Sequence, residues 1–183
     1  NPDIGLVIKT NSGGNSTVDR ETTRLRLKSI LQQVRKGSFP QVYFLHGYLN
    51  DKEVASLYKH PKVKGLISLT HGEGFGLPLL EAAACGLPVC ATNWSAHTEF
   101  LNLGGWKKIK GRIETIPAKK VDNQIFVSGA KWANPDIDFA RETLKEFVLE
   151  PKDSTISLQE AIRSRYSYKK ISEKYSKFWR RWK

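Results

Sequence analysis

The residues best suited to do chemistry lie in one stretch, Ser68-Leu-Thr-His-Gly-Glu-Gly-Phe-Gly-Leu-Pro-Leu-Leu-Glu-Ala-Ala-Ala-Cys-Gly-Leu-Pro88. Its pattern is strand, glycine loop, helix. Gly72, Gly74 and Gly76 alternate through the loop, and glycine lets backbone N–H groups come close to a ligand. Pro78 suits a first helical turn, where its missing N–H costs nothing. The free N–H groups and the positive dipole end of that helix then form a ready anion site, best suited to phosphate. Glu73 sits inside the loop and Glu81 about one turn into the helix. A carboxylate beside a phosphate site is electrostatically unfavourable, so hydrogen bonding to sugar hydroxyls is the better use for Glu73. Glu81 lies deeper and suits a ribose diol. The spacing is not the G-x-G-x-x-G of a dinucleotide site, and no Gly-Lys-Ser/Thr follows to make a P-loop.

The surrounding chain must hold that loop in place. Ile4–Ile8, Val42–Leu45, Gly65–Leu69 and Val89–Ala91 are short apolar runs that read as buried strands. Between them lie helical patterns. Leu27, Ile30, Leu31 and Val34 share one helix face. Asn50 and Glu53 resemble a capping box before Val54, Leu57 and Tyr58. Leu77–Ala84 forms the third helix, ended by Gly86 and Pro88. This alternation predicts an α/β fold with a doubly wound parallel sheet. The glycine loop then falls at the carboxyl ends of the strands, where ligands bind in such sheets. Residues 104–135 break the rhythm, with short strands predicted at Arg112–Ile116 and Gln124–Val127. Asp136–Leu149 reads as a helix, 151–155 as a linker, and the chain ends in a basic helix.

Composition narrows the classes. The 183 residues suffice for one ordinary domain, and 39% hydrophobic with 26% charged residues excludes a disordered or collagen-like chain. No apolar run approaches the roughly 20 residues of a membrane-spanning helix. Two cysteines, Cys85 and Cys90, exclude a disulfide scaffold and a multi-cysteine zinc site. They fit a reducing cytoplasm. The net charge of +12 is uneven: residues 161–183 hold nine Lys/Arg and one acid, Glu173. Such a surface suits polyanions, whether nucleic acid, an anionic membrane or phosphorylated ligands, or is simply solvated. Tyr168, Ile171, Tyr175, Phe178 and Trp182 form one stripe of the last helix. Three occupants fit it: the apolar side of a domain, a membrane surface, or nucleic acid.

Glu73-Gly-Phe-Gly-Leu-Pro through Glu81 resembles the E-x7-E motif of retaining glycosyltransferases of the GT-B fold, family 4 above all. The resemblance extends over most of residues 1–150. Asn1-Pro-Asp-Ile-Gly-Leu-Val-Ile, Phe44–Tyr58, Gly86–Thr92 and Trp132-Ala-Asn-Pro-Asp136 are similar to successive parts of the family's C-terminal, Rossmann-like domain. It implies a nucleotide-diphosphate sugar donor; no metal is expected, since no D-x-D-like acidic pair sits beside the loop, and no cofactor. Glu73 matches the catalytic-site glutamate that contacts the transferred sugar. The backbone of Gly74, Phe75, Gly76 and Leu77 matches the loop on sugar and distal phosphate, and Glu81 the glutamate on the ribose. Tyr48 and Asn50 match the nucleobase position. Lys9, at the end of the first strand, is a candidate phosphate contact.

Two departures accompany the match. Ser95-Ala96 stands where the family often has Gly-Gly, followed by His97, which reads as a surface or helix-start residue. Neither an N-terminal GT-B domain nor a first strand–helix unit with its diphosphate-clamping Arg and Lys lies upstream of Asn1. The expected organisation is therefore a truncated nucleotide-sugar-binding domain over 1–155 and a basic amphipathic helix over 156–183. The isolated chain is expected to be inactive, cytoplasmic, and able to reach a membrane through that helix. The alternative is a basic nucleic-acid- or nucleotide-binding module without catalysis.

Overall fold

The computed structural model describes residues 4–35, 37, 39–149 and 155–181. The Asn1-Pro-Asp start of the family resemblance, the 151–154 part of the linker and Trp182 of the aromatic stripe lie outside the described residues. The chain forms two compact units that divide between Glu53 and Val54.

The first unit contains β1 (Leu6–Lys9), α1 (Thr17–Val34) and β2 (Val42–Leu45). The strands are parallel, with Leu6 opposite Val42 and Lys9 opposite Leu45. α1 starts where Ser16 caps it: the Ser16 hydroxyl accepts from Asp19 N–H at 3.1 Å and donates to the Asp19 carboxylate at 2.6 Å. That hydroxyl bond holds the Asp19 carboxyl below the usual range. Of the predicted apolar face, Leu27 and Leu31 are half-buried, while Ile30 and Val34 are exposed. Asn11 ties the two strand ends together. Its Oδ1 accepts from Lys9 Nζ at 3.1 Å and from Gly47 N–H at 3.0 Å. The predicted capping box at the start of α2 (Asp51–Lys59) is present. Asn50 Oδ1 accepts from Glu53 N–H at 3.0 Å, and Glu53 Oε2 accepts from Asn50 N–H at 2.8 Å.

The second unit continues α2 and adds β3 (Leu66–Ser68), α3 (Leu77–Ala84), β4 (Val89–Thr92), α4 (Thr98–Leu101) and β5 (Lys107–Ile109). The three strands make a parallel sheet with β4 in the middle. Every residue of β4 is buried, as expected for a strand covered on both faces. Its side chains alternate between two cores. Val89 and Ala91 pack with Leu79, Ala82 and Ala83 of α3 and with Phe100 and Leu101 of α4. Cys90 packs with Ile109 and with Ala140 and Phe147 of α5 (Ile137–Phe147). The α/β class and the parallel pairing are as the sequence predicts. The parallel strands are divided between two sheets, β1–β2 and β3–β4–β5.

Two predicted elements are corrected. The segment Gln124–Val127 is not a strand, because the Asp122 carboxylate accepts from the N–H groups of Gln124, Ile125 and Phe126, each at 2.9 Å, and folds it into a turn. Those bonds, Gln124 first, lower the Asp122 carboxyl. The partner of β6 (Gly111–Thr115) is instead β7 (Lys131–Pro135), antiparallel, with Glu114 opposite Trp132. The single basic helix predicted from residue 156 is two helices, α6 (Ile156–Tyr166) and α7 (Tyr168–Arg180). Ser167 between them is extended, with φ −63° and ψ 149°. Leu158 and Ile162 of α6 join the main core. Gly104 makes that contact possible, since a Cβ there would stand 2.6 Å from the Leu158 backbone.

Candidate active site

The glycine loop joins β3 to α3 and is fixed at three points. At its end, Gly76 is the N-cap of α3 with φ +85°, a conformation that glycine adopts without strain, and no side chain caps the helix. In the first turn of α3, Pro78 has no N–H and Leu79 N–H donates to the Gly76 carbonyl at 3.0 Å, so the N–H left without an intrahelical acceptor is that of Leu77. Gly76 also must be glycine for space: a Cβ there would lie 2.9 Å from His97 Cβ. Gly74 has open space around its Cβ position and its φ is not positive. Left-handed backbone in the loop is thus confined to Gly76.

In the middle of the loop, Ser95 grips Glu73. Its Oγ donates to the Glu73 carbonyl at 2.7 Å and accepts from the Glu73 N–H at 3.0 Å. Ser95 reaches this position with φ +85°, a left-handed conformation in a residue with a Cβ. The Glu73 carboxylate itself accepts from Thr70 Oγ1 at 2.9 Å, and Ser68 Oγ bonds to Thr70 at 3.3 Å. Glu73 is therefore held by backbone and side chain. Its carboxylate is bonded to the first of two linked hydroxyls, Thr70 and then the half-buried Ser68.

At the start of the loop, His71 fastens the β6–β7 hairpin. Its Nδ1–H donates to the Ala133 carbonyl at 2.8 Å, and Ala133 N–H donates to the His71 carbonyl at 3.0 Å. The His71 ring stacks on Trp132 with centroids 4.1 Å apart and planes at 12°. The hairpin is consequently a fixed neighbour of Glu73. Phe75 turns the other way and packs on Phe100 and Tyr166. Tyr166 donates to Glu99 at 3.3 Å; burial, with the Glu99 charge added, raises its hydroxyl pKa.

Behind the loop, α3 is anchored at its far end by α6. Thr155 Oγ1 donates to the Gly86 carbonyl at 3.0 Å, and Gln159 Nε2 and Arg163 Nε both donate to the Ala84 carbonyl. These bonds satisfy carbonyls that a helix end otherwise leaves open. Glu81 is exposed on α3. Its charge reaches Tyr58 of α2, whose hydroxyl is pushed up to about 12 by burial first, then by Glu81 and Cys85. His97, read from sequence as a surface or helix-start residue, is the N-cap of α4 and is buried at 1% exposure. Its Nε2–H donates to the Thr92 carbonyl at 2.7 Å, so its role is packing beneath the loop.

Glu73, Gly74, Phe75, Gly76, Leu77 and Glu81 thus lie on one loop and helix in the second unit. Tyr48, Asn50 and Lys9 belong to the first unit. Tyr48 is exposed, the Asn50 amide oxygen is committed to capping α2, and Lys9 is bonded to Asn11. Ser95, Thr70 and His71 are contributors that sequence reasoning missed. The one signal for them is the replacement of Gly-Gly by Ser95-Ala96. Asp136 and Asp138, a D-x-D in sequence, are spent on capping α5 and pairing with Arg141. Among the described residues no group of three or more His, Cys, Asp or Glu stands close enough to hold a metal ion.

Comparison with known proteins shows the family to which the chain belongs. The chain is 31% identical over 129 residues to a protein named probable sucrose-phosphate synthase from Thermosipho melanesiensis, an alignment covering 69% of this chain and 23% of that protein. It is 32% identical over 72 residues to O-antigen chain mannosyltransferase B of Escherichia coli, covering 39% of this chain and 18% of that one. The chain therefore spans less than a quarter of the length of either relative. A family model described as glycosyl transferases group 1 matches residues 26–125. That match takes in more than half of the chain, including the whole glycine loop, and the chain belongs to the glycosyl transferases group 1 family.

Proposed function

We propose that this chain is the donor-binding part of a retaining hexosyltransferase that uses a nucleotide-diphosphate sugar. The observation that carries the reading is Glu73. Ser95 and Thr70 hold it beside an uncapped helix start. In this reading Glu73 hydrogen bonds the hydroxyls of the transferred sugar. The N–H groups of Gly74, Phe75, Gly76 and Leu77 take the distal phosphate. Glu81 takes the ribose diol. Tyr48 and Asn50 keep the nucleobase role and Lys9 the phosphate role that the family resemblance implies. Loss of the nucleoside diphosphate is helped by N–H donors already aimed at the charge that develops on the departing oxygen. Cys85 and Cys90 are not joined in a disulfide, which supports a cytoplasmic site of action.

The short span relative to both relatives supports a further part of this proposal. Transfer needs an acceptor held in line with the anomeric carbon, and holding two reactants can supply about 7–11 kcal/mol of the barrier. We assign that work to a second GT-B domain, and expect no turnover by the 183-residue chain alone. Glu73-dependent transfer by this chain alone would overturn that assignment.

Calorimetry with a panel of nucleotide sugars and the matching bare nucleotides tests the donor reading. Glu81→Gln should weaken both kinds of ligand alike, because both contain ribose. Glu73→Gln should weaken the nucleotide sugar by about tenfold or more and leave the bare nucleotide nearly unchanged, since a charged hydrogen bond is worth about 1.5–3 kcal/mol. Equal losses for both ligands in both variants would refute the division of roles.

A further inference from the structure

The middle of the glycine loop is held by a ring rather than by hydrogen bonds. Ser95 bonds both backbone groups of Glu73, and Gly76 opens α3. Between them, among the described residues, the backbone of Gly74 and Phe75 makes no hydrogen bond, and a Cβ at Gly74 would meet nothing within 4 Å. Phe75 brings the one large side chain of this stretch. Its ring lies 5.4 Å from that of Phe100 and 6.3 Å from that of Tyr166, tilted at 50° and 57°. Phe100 and Tyr166 are 6.2 Å apart, edge to face at 73°. All three separations fall in the range of about 4.5–7 Å over which tilted aromatic pairs attract. Phe100 is fixed in the core at 0% exposure. Tyr166 is the half-buried last residue of α6. Leu158, Ile162 and Tyr166 recur every fourth residue, so the two that anchor α6 in the core also aim its end at the loop.

We propose that Tyr166 is a positioning residue for the distal phosphate of the donor, acting through Phe75 and touching no ligand itself. The inference rests on the donor reading above, in which the N–H groups of Gly74, Phe75, Gly76 and Leu77 take that phosphate. Such donors serve an anion best when their direction is set before it arrives, because the ordering of a free backbone is otherwise subtracted from binding. Phe100 alone gives the Phe75 ring one wall. Tyr166 gives it a second, set at an angle to the first, and two walls that are not parallel fix both the place and the tilt of the ring. The Phe75 backbone follows its ring. The Tyr166 hydroxyl donates to Glu99 Oε1 at 3.3 Å, and Glu99 precedes Phe100 on α4, so the two walls are tied to each other. That bond is secondary, because a phenylalanine would keep the ring contacts. The loop thus has two separate supports. Ser95 and Thr70 hold Glu73, on the sugar side, and Tyr166 holds Phe75, on the phosphate side.

The test is calorimetry of the full chain with the monophosphates, diphosphates and diphosphate glucoses of uridine, adenosine and guanosine. In the series that the parent chain prefers, the diphosphate and the nucleotide sugar should bind more tightly than the monophosphate. Tyr166→Ala should weaken the diphosphate and the nucleotide sugar by about tenfold each and leave the monophosphate unchanged, since only the first two carry the distal phosphate. Tyr166→Phe should keep both within about threefold of the parent, because the ring contacts remain. Phe75→Ala, a change in the loop rather than in α6, should give the same loss, and Tyr166→Ala on the Phe75→Ala background should add nothing to it. Circular dichroism and monophosphate binding report the fold of each variant. Three results overturn the inference and leave the donor reading standing: Tyr166→Ala keeping the parent's diphosphate affinity, Tyr166→Ala weakening all three ligands alike, or its loss persisting on the Phe75→Ala background. A parent chain that binds the diphosphate no better than the monophosphate overturns the donor reading, and the inference with it.

Discussion

Replacing Ser95 separates a strained backbone from the hydrogen bonds that justify it. Ser95 Oγ makes two bonds to the backbone of Glu73, at 2.7 and 3.0 Å, from a residue at φ +85°. Ser95→Ala keeps the strain and deletes both bonds. Each is worth about 0.5–1.5 kcal/mol net, so the loss is about 1–3 kcal/mol, felt first as release of the loop. Ser95→Gly deletes the same bonds but relieves the left-handed strain, worth about 1–2 kcal/mol. The glycine variant should therefore be more stable than the alanine variant by about 1 kcal/mol, and close to the parent chain. Donor affinity should not follow stability. Both variants free Glu73, so both should lose nucleotide-sugar binding by a similar factor of about ten, with bare-nucleotide binding little changed. Urea unfolding gives the stability order and calorimetry gives the affinities. An alanine variant as stable as the parent, or a glycine variant that keeps full nucleotide-sugar affinity, would refute the grip assigned to Ser95.

Gly74→Val should fold as the parent does and lose nucleotide-sugar binding, because its Cβ meets open space where the ligand is proposed to sit. Gly76→Val should instead lower the unfolding midpoint, by about 1–3 kcal/mol for the left-handed backbone and a similar amount for crowding His97; equal stability of the two variants would contradict the assignment. Tyr58 is held protonated up to about 12 in the folded chain, against about 10 unfolded, so its contribution is intact below pH about 10 and is lost as pH rises toward 12. Tyr58→Phe should flatten the decline of stability across that window, read from urea midpoints; an unchanged decline would exclude burial at Tyr58 as its cause.

The parallel part of the fold was legible because its signals are local. Val42–Leu45 and Val89–Thr92 are apolar runs bounded by Pro and Gly or polar residues, and Leu77–Ala84 is bounded by its own start and stop residues. Of the hairpin only the first strand, predicted at Arg112–Ile116 and found at Gly111–Thr115, was legible, and its partner was not, for two reasons. Gln124–Val127 has the composition of a strand, but a single carboxylate, Asp122, takes three of its N–H groups and turns it. The true strand, Lys131–Pro135, has no alternation to advertise it and is held in part by His71, sixty-two residues back. The break at Ser167 was hidden in the same way, because serine does not interrupt the amphipathic pattern of the last two helices. Only the burial of Leu158 and Ile162, against the exposure of the α7 rings, tells the two apart.

The site divides along the same line. Glu73, Glu81 and the glycines were legible because their chemistry is carried by residue type and spacing along one segment. Ser95, His71 and Thr155 were not, because each acts at a distance on a backbone group, and a serine, a histidine or a threonine has no spacing that announces this. Yet these residues decide whether the legible ones are useful. A carboxylate on a free loop would have to be ordered each time a sugar bound, at about 1–2 kcal/mol per residue of backbone. Ser95 fixes Glu73 from beneath, His71 fixes the start of the loop to a hairpin, and Thr155, Gln159 and Arg163 fix the far end of α3. Preorganisation of this kind places the donor groups before any ligand arrives. It follows that α6 belongs to the site's support as much as the glycine loop belongs to the site, although no residue of α6 carries a motif.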